Sequence, residues 1–449
     1  MMLRDCRDLP VSGADRTALD GYERAATTFA RYQTDPLAEI DPVIAAAPDF
    51  AMAHCFRAGL MLCSTERAAE PELRRSIEAV EALHPRTTER ERGHAIAARA
   101  WLEGDFRRAG RLYGEVLARW PRDLLALQLA HQIDFFTGNA AALVERPARC
   151  LDAWGDAPGR SYVSGMHAFG LEETDRFPEA ERAGRAALDG DRRDAWAVHA
   201  VGHVMEMQGR TGEGIDFLRD RVADWSEDNM LAFHNWWHLA LYHLEHGETE
   251  AALGIYDRNI RPRPSAVALE MVDASAMLWR LRLRGVSGGG RWAELADSWA
   301  PMADDGYYAF NDAHATMAFV GANRFDDAKR LVKRLESVAA GSGDNAMMTR
   351  DVGLPLCRGL LAFGEGDWRE AVDALAPVRA VAHRAGGSNA QRDVISLTLL
   401  EAALRAGDGA MARRLAAERL ARKPESPLAW GLTRRAGNLP DGGGVMKAA

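Results

Sequence analysis

Two short stretches of this 449-residue chain concentrate imidazole in a pattern that could do chemistry. The run DAWAVHAVGHVMEMQG carries His199, His203 and Glu206 at i, i+4 and i+7. At about 100° per residue these three fall within roughly 60° of one another, on one face of a helix. The run MLAFHNWWHLALYHLEHG carries His234, His238 and Glu245 on one face, with His243 pointing the opposite way. A pair at i,i+4 suits a divalent transition metal, with His199, His203, His234 and His238 as ligands and carboxylates completing the shell. The same rings titrate near neutrality and suit proton transfer. In a core they would simply satisfy neighbouring polar groups. The order is neither His-Glu-x-x-His nor Glu-x-x-His, so neither the zinc-protease helix nor the di-iron bundle is copied.

Further polar residues fall in helix-like segments on either side. Upstream are His131 with Asp134 in LAHQIDFF, and Tyr162 in SYVSGMHAFG. Downstream, Asp273 and Arg280 lie seven apart in MVDASAMLWR, and Asn311, Asp312 and His314 sit in FNDAHATMA. Arg350 and Asp351 occur in TRDVGLPLC, Asn389 and Arg392 in GGSNAQRD. Trp236, Trp237 and Tyr242 could stack a ligand, although aromatics at helical spacing usually fill a core.

The elements that must hold these groups are helices. One phrase recurs seven times: a Gly, Asp or Asn turn, then a helix with small and large apolar residues at i, i+3, i+4. The copies open at Gly104, Asp175, Gly209, Gly247, Asn323, Gly366 and Gly407. Some spacings fall in the middle to high thirties, near the 34-residue tetratricopeptide period. A single helix pair cannot bury its apolar face, so pairs stack and the core becomes continuous. The expected fold is therefore all-α: a right-handed superhelix of roughly eleven tetratricopeptide-like helix pairs without strands. One domain is expected over 1–439, followed by a flexible tail over 440–449. Its first helices would line a concave groove.

Composition narrows the function classes. The formal charge is −9, so no basic excess advertises nucleic-acid binding. Five cysteines without a C-x-x-C pair argue against a disulfide framework or zinc knuckle and fit a reducing cytoplasm. No apolar run approaches a membrane span, and no P-loop or Gly-x-Ser-x-Gly elbow is present.

The runs DAWAVHAVGHVMEMQGR, HNWWHLALYHLEHGETEAALGIYD, FNDAHATMA, RDVGLPLC and GGSNAQRD resemble the tetratricopeptide repeat protein 38 family. The resemblance covers nearly the whole chain and implies a repeat superhelix of about this length. It carries over no settled reaction. It marks His131, His199, His203, Glu206, His234, His238, Asp312, His314, Arg350, Asp351, Asn389 and Arg392 as recurrent polar positions. Where the family tends to have His-Asp, this chain has His131-Gln132, and Asp134 could take the acid's place.

Two functions compete at this stage. In the first, the groove holds a small polar molecule, with or without a metal-assisted hydrolysis or proton transfer. His199, His203, His234, His238 and His314 would then be bases or ligands, and Glu206 or Asp312 the carboxylate partner. Arg280, Arg350 and Arg392 would hold an anionic group, with His131, Tyr162, Trp237, Asp273, Asn311, Asp351 and Asn389 completing the pocket. In the second, the groove is a non-enzymatic scaffold for a peptide or protein. Neither reading fixes an oligomeric state, and a homodimer fits both.

Overall fold

The computed structural model describes residues 2–33 and 35–439, so the tail expected over 440–449 lies outside the described residues. The chain is all-α and built from helix pairs. First helices of successive pairs begin at Arg16, Ala51, Glu89, Leu124, Arg160, Ala195, Ala232, Ala268, Ala309, Leu354 and Asn389. Each is followed by a second helix, and a lone helix, Pro427–Gly437, follows the last pair. No helix among the described residues is long and apolar enough to cross a membrane.

The turns explain the phasing. All seven residues that open the recurring phrase have positive φ, including Asp175 (60°) and Asn323 (58°). A residue in this region ends the first helix and lets the chain reverse into the second. Close approach follows: a Cβ on Gly170, in helix Arg160–Glu172, would collide with the Leu143 carbonyl of the preceding helix.

Three details depart from the sequence reading. A two-stranded antiparallel hairpin near the N-terminus pairs Leu3–Arg4 with Pro10–Val11, where no strand was expected. Single π turns occupy Tyr256–Ile260 and Thr349–Gly353. The second π turn runs into Pro355, which has no N–H to donate to the preceding turn and so breaks the regular ladder there.

The described chain divides into two compact units. One comprises the residues up to Val204 with Arg221–Ala232, the other Met205–Asp220 with the residues from Phe233 onward. In the first unit the Leu124–Phe136 helix is buried on nearly every side, and it carries Gln128, His131, Gln132 and Asp134 into the interior among its apolar residues. A buried polar knot fixes the N-terminal hairpin: Arg90 reaches Asp123 at 3.1 Å and the Pro10 carbonyl at 3.0 Å, while His94 meets Asp123 at 2.8 Å. Burial alone would raise the Asp123 pKa, but His94 and Arg90 hold it well below the usual carboxylate range. In the second unit two tryptophans tie helices through their ring N–H groups. Trp279 donates to Thr398 at 2.9 Å and Trp299 to Ser275 at 3.0 Å.

Candidate functional site

The histidine-rich stretches fold as the helices Ala195–Met207 and Ala232–Glu245. His199 and His203 belong to the first unit, and Glu206, His234 and His238 to the second.

In the first unit, His203 Nδ1 lies 3.3 Å from a Glu172 carboxylate oxygen, both side chains fully buried. Glu173, the residue that ends the Arg160–Glu172 helix, joins them. One ligand atom from each of Glu172, Glu173 and His203 lies within 4.8 Å of the others. His199, one turn before His203, has its ring centroid 4.3 Å from that of His203. Phe169 stacks on His199 at 5.3 Å, and Trp196 lies 4.8 Å from it. Trp196 also donates its ring N–H to His131 Nε2 at 3.2 Å. Burial, with Arg146 nearby, pulls the His131 pKa down to about 3, so this ring is neutral and accepts. Asp134 pairs with Arg146 at 2.5 Å, yet burial outweighs that partner and raises its pKa to about 6. Tyr162 donates to Asp191 at 2.8 Å, an oxygen shared with Arg31.

In the second unit each histidine of the other pair has its own carboxylate. His234 Nδ1 meets Asp273 at 2.6 Å, and His238 Nδ1 meets Glu206 at 2.9 Å. Their centroids are 4.9 Å apart, and Trp237 stacks on His234 at 5.3 Å. Arg280 lies over the Trp237 ring at 5.0 Å and donates to the Ala390 carbonyl at 2.8 Å. Its burial lowers its pKa from the ordinary value. Asn311, Asp312 and His314 are buried on helix Ala309–Gly321. His314 Nδ1 lies 2.8 Å from the Phe310 carbonyl oxygen, and burial brings its pKa to about 4. Arg350 and Asp351 sit on the second π turn. Arg350 donates to the Ala339 carbonyl at 3.1 Å, and Asp351 accepts from Arg384 at 3.0 Å.

The second unit also holds a cleft of about 530 Å³, in the size range of ligand sites. Of the residues singled out in the sequence it brings together Glu206, Asn389 and Arg392. The rest of its charged wall was not foreseen: Arg379, Asp393, Arg414, Glu418, Arg419, Arg422 and Lys423. Six cations there face three carboxylates. Arg419 reaches Asp393 at 2.7 Å and pairs with Glu245, and Lys423 lies 3.5 Å from Glu245 and 3.9 Å from Glu206. Burial would raise the carboxyl pKa values of Glu245 and Asp393, but Arg419 and Lys423 override it and hold both low. One signal could have exposed this wall. Lys423 is one of only four lysines in the chain, and it is buried. It follows the second helix of its pair, in the run AERLARKPES, whereas the histidine pairs lie on first helices. Glu172 and Glu173 give no local signal, because the histidine they meet, His203, lies about 30 positions further along the chain.

No family model matches the chain. Among solved structures it is similar to the APC/C hetero-tetramer Cut9-Hcn1, at 13% identity and a TM-score of 0.47 over 92% of this chain and 69% of the other. It is also similar to the yeast Tom70, at 12% and 0.33 over 94% and 96%. A third is the structure of Naa15/Naa10 bound to HypK-THB, at 12% and 0.26 over 94% and 67%. At these values the likenesses bear on neither partner nor activity.

Proposed function

We propose that this is a non-enzymatic tetratricopeptide-type binding protein of the reducing cytoplasm, whose second unit receives an acidic segment of a partner protein. The observation that carries the reading is the cleft with its excess of arginine and lysine. Guanidinium groups in a concave wall match carboxylates in fixed, often bidentate geometry. Several of these cations are already ordered by neighbouring acids, as Arg379 is by Glu418 at 2.5 Å, so little side-chain entropy is lost on binding. The kinship with the tetratricopeptide repeat protein 38 family noted above belongs to the same proposal.

A second reading rests on Glu206, which lines the cleft while bonding His238. A carboxylate-oriented imidazole is the arrangement of a general base, so the cleft would then hold a small anionic molecule and the pair would move a proton.

Titration of the full chain with a glutamate-rich peptide, followed by calorimetry, tests the proposal. Binding should weaken steadily with salt and fall at least about tenfold in an Arg379→Gln, Arg422→Gln variant. Equal affinity for a lysine-rich peptide, or none for the acidic one, would refute it. Binding of small carboxylates in place of the peptide would move the assignment to the second reading.

A further inference from the structure

We propose a second site, in the first unit: a divalent transition-metal centre held by Glu172, Glu173 and His203. Glu172 and His203 are fully buried and 3.3 Å apart, and the three donor atoms lie within 4.8 Å of one another. Ligands about 2.1 Å from a tetrahedral metal are separated from each other by roughly 3.4 Å, so small side-chain movements close this set around an ion. Charge favours a cation. Two carboxylates and one imidazole converge there, and anionic oxygens beside a neutral ring nitrogen are a donor set for a divalent ion. The donor set of imidazole nitrogen and carboxylate oxygen suits zinc, iron or manganese over calcium or copper(I).

The surroundings provide the supports such a centre needs. His199 stands one turn from His203 on the same helix, with its ring 4.3 Å away. Phe169 packs against both imidazoles, at 5.3 and 5.4 Å, and limits their rotation. Glu173 is only partly buried and ends its helix. Leu171 and Val204, the chain neighbours of Glu172 and His203, belong with Ala180 to an apolar cluster in the same unit.

Coordination is a binding event with no redox step, and it releases any proton carried by the histidines or glutamates. The test is equilibrium dialysis of the tag-free full chain against zinc after chelator treatment, with elemental analysis and thermal melting as readouts. The expected result is one zinc per chain and a higher melting temperature. Glu173→Gln, at a partly exposed position, should keep the fold and weaken zinc at least about tenfold. Glu172→Gln and His203→Gln should abolish binding, with circular dichroism confirming helicity. His234→Gln and His238→Gln should leave it unchanged. Absence of zinc in the wild type would overturn the proposal. So would zinc that survives Glu173→Gln and Glu172→Gln, and so would zinc that is lost only with His234 or His238. In each of those results the Glu172–His203 contact is a structural ion pair.

Discussion

The same sequence device, two histidines one helical turn apart, is used differently in the two units. In the first, His199 and His203 sit among Phe169 and Trp196, and His203 meets the fully buried Glu172. In the second, His234 and His238 each hold a separate acid, Asp273 and Glu206. Glu206 connects onward through Lys423 to a wall of arginines. The difference shows that spacing along a helix fixes which side chains share a face. What that face meets is decided by residues far away in sequence.

The largest effect should come from breaking the charge network of the second unit. Arg419→Met leaves Glu245 and Asp393 without their main partner. Removing one member of such a buried pair typically costs about 3–5 kcal/mol, which urea denaturation would measure. A loss under about 1 kcal/mol, the level of a surface pair, would show that the network is solvated.

Acid should act on depressed carboxylates in both units, on Asp123 in the first as on Glu245 and Asp393 in the second. Glu245 and Asp393 have depressed pKa values, so their stabilisation is present above the ordinary carboxylate range and is lost as pH falls through their lowered values. Asp194 in the first unit is the reverse case. Burial raises its pKa to about 7, although the Ala197 N–H donates to it. Its contribution is full below the unfolded value of about 3.9 and is lost as pH rises through about 7. Asp194→Asn keeps a cap for Ala197 and should remove that loss, giving a flatter stability profile between about pH 4 and 7. Hydrogen exchange in the Ala195–Met207 helix, compared at both ends of that window, reads it directly. Identical profiles for variant and wild type would contradict the assignment.

The smallest effect should be the same in both units. Asp175 and Asn323 hold the left-handed turn conformation without being glycine, and Asp175→Gly or Asn323→Gly should stabilise by at most about 1 kcal/mol. A loss of stability in either would mean that its side chain contributes more than its backbone strain costs.

These regions also show where sequence reading succeeds. The seven turn residues carry a local signal, because chain reversal needs positive φ and few residue types supply it cheaply, and all seven adopt it. The faces of the histidine helices were legible for the same reason. The partners were not. Glu172 lies 31 positions before His203, and Arg419 lies 174 positions after Glu245. No periodicity within a helix reports such meetings. Arg280 and Arg350 were expected to hold an anion, but their hydrogen bonds to the Ala390 and Ala339 carbonyls depend on backbone that no side-chain pattern reveals.

In the proposed function the cationic cleft of the second unit is where an acidic partner docks. Photo-crosslinking of the full chain with a glutamate-rich peptide, followed by mass spectrometry, tests it most directly. Crosslinks confined to Ala376–His383, Asn389–Leu400 and Arg414–Lys423, and suppressed by salt, are the predicted result. Crosslinks scattered over both units, or concentrated in the first, would contradict it.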